Sequence, residues 1–155
     1  MKQIYYADSS VLVKRHIQEI GSAWFQNLVL SDMTDQIVST EVSIVEVFST
    51  VNRRKRESAI SQIDYDDFAI NFRAISRNEY FLIELSDPII TESQRLLESH
   101  PLRAGDAIQL ATAIDARNML HNSLLPAPIF LSSDNKLLSA ATAEDFTTDN
   151  PLPHP

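Results

Sequence analysis

Apolar runs and helical repeats alternate along this chain of 155 residues. Gln3 to Ala7 is a short apolar, aromatic-rich run, the composition of a buried strand. It turns through Asp8-Ser9-Ser10 into a short helix from Ser10 to about Ile17, with Ser9 or Ser10 as the expected N-cap. Gly21 interrupts the chain, and Ser22 to Leu30 reads as a second helix. Gln36 to Ser39 is a short strand. From about Ser43 to Ser58, Ile44, Val47, Phe48 and Val51 recur at helical spacing, and Arg53-Arg-Lys-Arg56 suits a helix C-terminus. Asp64 is expected to cap a further helix whose apolar face is Phe68, Phe72 and Ile75. Tyr80 to Leu85 reads as a strand. Asp87-Pro88 starts a helix, with Asp87 as cap, that ends at His100-Pro101. Gly105 to about Leu120 is an alanine-rich helix, small enough on one face to pack closely on a sheet. Leu124 to Pro128 is a loop, Ile129 to Ser132 a strand, Asp134 to about Ala143 a helix, and Asp145 to Thr148 a candidate edge strand. Strands alternating with helices at these lengths predict an α/β protein, its parallel sheet covered on both faces.

Composition narrows the chemistry. The chain is long enough for one ordinary domain, expected over residues 1–150, with a loose, proline-rich tail at 151–155. It has no cysteine, which removes disulfides, thiolate zinc sites and a thiol nucleophile. Two glycines, Gly21 and Gly105, are too few for a P-loop or a dinucleotide fingerprint. No apolar run is long enough to span a bilayer and no leader-like segment is visible, so a cytoplasmic protein away from membranes is expected. The net charge of -8 is not that of an obvious nucleic-acid binder, unless part of the acidic excess holds cations.

Four acids share one kind of position. Asp8 ends the first strand, Glu46 lies early in the helix after the second, Asp106 is in the first turn of the alanine-rich helix, and Asp134 follows the fourth strand. In a parallel sheet these helix starts gather at one end, where ligand sites of open α/β sheets form. Each acid also has a local explanation. Asp8 can start a turn, Ser43-Ile-Val-Glu46 fits a capping box, Asp106 complements a helix dipole, and Asp134 can cap its own helix. Four purely local roles together are disfavoured, because clustered like charges repel unless a cation joins them.

At these residues the chain resembles PIN-domain ribonucleases, specifically VapC-type toxins of bacterial toxin–antitoxin pairs. The matching pieces are Tyr6-Ala-Asp-Ser-Ser-Val-Leu-Val-Lys14, Val38-Ser-Thr with Val45-Glu-Val47 leading to Arg53-Arg54, Leu102-Arg-Ala-Gly-Asp-Ala-Ile-Gln-Leu-Ala111, and Phe130-Leu-Ser-Ser-Asp-Asn-Lys-Leu-Leu138. They extend over Ile4 to about Pro151, and the segment around Asp106 is the most specific. Ser9 stands where relatives often carry Thr, and Gly105 where many carry a larger residue.

The resemblance implies a three-layer α/β/α PIN-like fold with a central, mostly parallel sheet of four to five strands. It implies catalytic acids at Asp8, Glu46, Asp106 and Asp134 and a hydroxyl at Ser10. Oxygen donors of this kind suit Mg²⁺, with Mn²⁺ as substitute. Asp8 and Asp106 are the expected direct ligands; Glu46 and Asp134 would hold a second ion, orient water or bind in the outer shell. The scattered His16, His100, His121 and His154 read as surface or core residues. The implied activity is endonucleolytic RNA cleavage by a metal-activated water, and the implied partners are a cognate antitoxin and a second copy in a homodimer. Lys14, Arg15, Arg53, Arg54 and Arg103 are the weak candidates for RNA contact, and Trp24, Phe25 and Leu28 for the dimer face. Two other readings stand beside it: a catalytically silent PIN-fold binding module, and a Mg²⁺-dependent receiver-like phosphoryl-transfer protein. Ser9 and Ser10 after Asp8, where a receiver needs a second acid, argue against the latter.

Overall fold

The computed structural model describes residues 3–30 and 36–154. The elements are β1 (Ile4–Ala7), α1 (Ser9–Leu12) continued by a 3-10 turn (Val13–Arg15), α2 (Ser22–Leu30), β2 (Gln36–Thr40), α3 (Val42–Arg56), α4 (Gln62–Asn78), β3 (Tyr80–Ile83), α5 (Asp87–Ser99), α6 (Ala104–Asn122), β4 (Ile129–Leu131), α7 (Asn135–Ala143) and β5 (Thr148–Asp149). The strands form one sheet in the order β3-β2-β1-β4-β5, and every pairing is parallel. The chain winds outward from β1 through β2 to β3, then returns to place β4 on the other side of β1. Strand order therefore reverses between β1 and β4, the point at which open α/β sheets form crevices.

Alternation along the strands explains the layers. Ile4, Tyr6, Val38 and Phe130 face a core shared with α5, α6 and α7. Ala7, Ile37, Tyr80 and Leu131 face a second core shared with α1, α2, α3 and α4. With a period of two, neighbouring strand residues must serve opposite layers. The result is a three-layer α/β/α fold. Tyr6 and Phe130, both fully buried, stack with ring centroids 5.3 Å apart across the β1–β4 pair. On α6, Ala107, Ala111 and Ala113 are buried beside Leu110 and Ile114, so small side chains let this helix approach the sheet.

Several local expectations shift. Asp8, not Ser9 or Ser10, caps α1, accepting from the Val11 amide. Ser61 caps α4, with Asp64 in its first turn, and Ser86 caps α5, leaving Asp87 inside the helix. The capping box at Ser43 does not form, because α3 already begins at Val42 and the Ser43 hydroxyl is drawn into the interior. The last strand starts at Thr148 rather than Asp145. Asp145 adopts a left-handed φ of 67° and ends α7, with the Phe146 amide donating back to Ala141.

The C-terminal segment, expected to be loose, is tied down through residue 154. Pro151 is buried, and His154 stacks on Trp24 at 4.3 Å while its Nε2 meets Asp149 Oδ1 at 2.9 Å. Trp24 is thus partly covered by its own chain, and Phe25 is fully buried, so neither presents the open apolar face expected for a dimer contact. Among the described residues no helix is long and apolar enough to cross a membrane.

Candidate active site

The carboxyl ends of β1, β2 and β4 bring the site together. The Asp8 amide donates to the Leu131 carbonyl, extending the β1–β4 pairing by one residue. Ser39, at the end of β2, donates to the Ala7 carbonyl at 2.7 Å. Asp8 therefore stands at the reversal of strand order, flanked on both sides.

Asp8 is 4 % exposed, and three donors surround its carboxylate. Ser10 Oγ donates to Oδ1 at 2.5 Å, Ser132 Oγ to Oδ2 at 2.6 Å, and the Val11 amide to Oδ1 at 3.2 Å. Burial nonetheless pushes its pKa up to about 6, against those hydrogen bonds and with the charge of Glu46 adding to the rise. Asp106 is raised as well, by burial and then by Asp134, with Arg103 and its backbone opposing.

Glu46 does not turn back to cap its own helix. Ser9 Oγ donates to its Oε2 at 2.5 Å, and Gln109 Nε2 reaches the same oxygen at 3.3 Å. Its other oxygen lies beside the start of α6: a Cβ on Gly105 would sit 3.4 Å from Oε1. That separation is an ordinary contact, and α6 starts normally at Ala104, so glycine at 105 does not alter the helix start. Asp134 keeps its local role as N-cap of α7, accepting from the Lys136 and Leu137 amides. It is also joined to Asp8, because Ser132 Oγ accepts from the Asp134 amide at 3.0 Å while donating to Asp8.

The four acids thus fall into two electrostatically coupled pairs, Asp8 with Glu46 and Asp106 with Asp134. Serine hydroxyls and the start of α6 link the pairs. Among the described residues, no three His, Cys, Asp or Glu side chains form a group that could by itself hold a metal ion. The donor chemistry still fits a hard divalent cation. All donors are oxygen, and Asp8 and Asp106 are each raised first by burial, with a neighbouring carboxylate adding to the rise. Mg²⁺ needs only one or two carboxylates when water and phosphate complete its shell.

The cations are disposed less favourably. Lys14 is 3 % exposed, its Nζ held by Glu19 at 2.8 Å and the Ile20 carbonyl at 2.9 Å, so it cannot reach a nucleic acid. Arg15 is paired with Glu79 at 2.6 Å, and Arg54 with Glu19. Arg53 is exposed, but it follows Glu46 by seven residues, roughly 10 Å along α3 at 1.5 Å per residue. Arg103 is exposed at the start of α6 and interacts with Asp106. None of the histidines touches the acids by a hydrogen bond. His16 is packed edge-on against Phe68 and Phe72, while His100 and His154 bind Glu144 and Asp149.

Sequence reasoning missed Ser132 and Gln109 as partners of Asp8 and Glu46. Gln109 left a trace: a polar residue on the buried face of α6, one turn after Asp106. Ser132 left none beyond lying two residues before Asp134.

A family model described as PIN domain matches residues 5–141. No curated protein matches the sequence. Among solved structures, a toxin–antitoxin complex from Klebsiella pneumoniae is similar at 18 % identity and a TM-score of 0.59, over 95 % of this chain and 97 % of that one. VapBC2 from Rickettsia felis, bound to a DNA fragment from their promoter, is similar at 12 % identity and a TM-score of 0.63, over 96 % and 98 %. At these identities the likeness is one of fold.

Proposed function

The chain belongs to the PIN domain family, and from that premise we propose that it is a divalent-metal-dependent endoribonuclease, the toxin of a toxin–antitoxin pair. The observation that carries the reading is the placement of Asp8, Glu46, Asp106 and Asp134 as two like-charged pairs where strand order reverses. Such repulsion has no stabilising purpose in an apo protein; it is relieved by a cation. The two similar structures support the toxin context: one is a toxin–antitoxin complex, and the other is VapBC2 bound to DNA from its promoter.

In this reading Asp8 and Asp106 ligate the ion, Mg²⁺ or in its place Mn²⁺, and Glu46 and Asp134 hold a second ion, water or the outer shell. The ion, when bound, acidifies a water and offsets charge on the scissile phosphate. Ser10 and Ser132 hold the Asp8 carboxylate in one orientation. Ser9 does the same for Glu46. Arg103, exposed at the start of α6, is the basic side chain best placed to meet a phosphate; Arg53 is a more distant one. The antitoxin would complement the acids with an arginine or lysine, and the toxin would work as a homodimer in the cytoplasm. On this reading residues 1–150 make up the single domain in which this takes place, with the segment through His154 packed against it.

Purified protein is expected to cut single-stranded RNA with Mg²⁺ or Mn²⁺ and to stop with EDTA. Asp8→Asn and Asp106→Asn should each abolish cutting in a protein that still unfolds cooperatively. Cleavage that persists in EDTA, or survives both substitutions, overturns the proposal. A silent PIN-fold binding module is the second reading, favoured by the lack of a three-acid group among the described residues. It requires that wild type and Asp8→Asn be equally harmless when expressed in a bacterium. Membership of the PIN family removes the receiver-like alternative.

A further inference from the structure

Beneath the acids runs a buried chain of hydrogen bonds whose direction can be deduced from one end. Ser39 has a single hydroxyl proton and gives it to the Ala7 carbonyl at 2.7 Å. The Ser39–Ser43 contact at 2.8 Å must then be donated by Ser43. Ser43 Oγ, its proton spent, can only accept from Gln109, whose Nε2 lies 2.8 Å away. That fixes which end of the Gln109 amide is nitrogen. The opposite end, Oε1, accepts from the Tyr6 hydroxyl at 2.8 Å. The second Nε2 proton is left pointing at Glu46 Oε2, 3.3 Å away. A flipped amide would set two oxygens against each other there. Gln109 is 2 % exposed, and Tyr6, Ser39 and Ser43 are fully buried, so water cannot substitute for the links that lead to Gln109.

We propose that Gln109 is a positioning residue for the metal site: with Ser9 it occupies Oε2 of Glu46, so that Oε1 is the oxygen left to hold the second ion or a water of the outer shell. This rests on the reading of the acids as a divalent-metal site. Ser9 and Gln109 both donate to Oε2 of Glu46, whereas Oε1 faces the start of α6, next to Asp106. Gln109 thereby transmits the geometry of β1 and β2 to a side chain on α3. Hydrogen-bond partners of metal-ligating groups commonly change metal affinity by roughly 10–100-fold when removed.

The test is Mn²⁺ binding by calorimetry to the full-length protein and its variants, beside their thermal unfolding. Gln109→Met removes the donor to Glu46 and also the acceptor of the Tyr6 hydroxyl, which keeps Thr112 and the Thr40 backbone as neighbours. The double variant Tyr6→Phe/Gln109→Met removes both partners together, which protects the fold. Either folded variant should bind Mn²⁺ about tenfold more weakly, and in RNA cleavage kcat should fall while KM stays within twofold. Tyr6→Phe alone, which frees the amide to rotate, should give a smaller weakening in the same direction. Mn²⁺ affinity within twofold of wild type in both Gln109 variants overturns the positioning role, even if their melting temperatures fall. A wild type that binds no Mn²⁺ overturns the metal-site reading, and the positioning role with it. Mn²⁺ binding without RNA cleavage overturns only the nuclease reading, and the variants' affinities still decide the role of Gln109.

Discussion

Asp8 carries its charge under protest. Its folded pKa of about 6 lies above the ordinary 3.8, so the folded state holds this proton more tightly than the unfolded chain. The stability contributed by protonated Asp8 is present below pH 4 and is lost as pH rises through 6. At roughly 1.4 kcal/mol per pKa unit, the effect is of the order of 3 kcal/mol in metal-free protein. Asp8→Asn should therefore raise the stability of the EDTA-treated protein at pH 7.5 by about 1–3 kcal/mol, an advantage that vanishes near pH 4. Urea unfolding at several pH values measures it, and a difference that does not change with pH would refute the account. His16 acts in the opposite sense. Burial first, then Arg15, pushes its pKa down to about 4, so the fold favours neutral imidazole. Stability from this group is complete above pH 6.5 and is lost as pH falls through 4. His16→Leu should flatten the acid limb of the stability curve; an unchanged limb would show that the ring is not responsible.

Among the elements, the docking of the C-terminal segment on α2 is the least obvious feature and the easiest to break. Gly21 has φ of 87°, and a Cβ there would lie 2.8 Å from Pro151. Gly21→Ala combines a disfavoured backbone with a clash. It should cost roughly 1–3 kcal/mol and lift His154 off Trp24. The chain has a single tryptophan, so its emission reports this contact directly. Wild-type emission together with wild-type stability would mean that the segment does not need glycine. A run of three prolines between residues 151 and 155 reads as loose because no periodic pattern marks it. Contact with a single glycine 130 residues earlier has no local signature. The helices behaved otherwise: their apolar repeats placed them within a few residues, while the caps moved to Asp8, Ser61 and Ser86, because neighbouring Ser and Asp side chains can each satisfy the same orphan amides.

For the molecule as a whole, the charge of -8 and the paired acids predict that a divalent cation stabilises the folded state. A ligand at a hundred times its dissociation constant adds about 2.7 kcal/mol, and each kcal/mol raises the melting temperature of a domain this size by about 2–4 °C. Mn²⁺ at saturating concentration should thus raise Tm by roughly 5–10 °C, and Asp8→Asn/Asp106→Asn should abolish the rise. An unchanged wild-type Tm in millimolar Mn²⁺ would speak against a metal site. If the nuclease proposal holds, the same acidity limits the grip on RNA, since Lys14, Arg15 and Arg54 are already engaged by Glu19 and Glu79.

The order of apolar and polar residues sufficed for the α/β class, for the parallel sheet and for four acids at the starts of helices. Those properties follow from periodicity, which is local, and from the rule that parallel strands place their ends together. Only the tertiary structure decided that the acids stand as two pairs, that Ser132 and Gln109 serve them, and that Lys14 is spent inside the fold. The contacts of Ser132 and Gln109 join residues scores of positions apart, and even Lys14, held by Glu19 and Ile20 a few residues on, is buried only by the packing around it; whether two side chains meet in a packed interior depends on register and helix placement, which no short stretch of chain encodes.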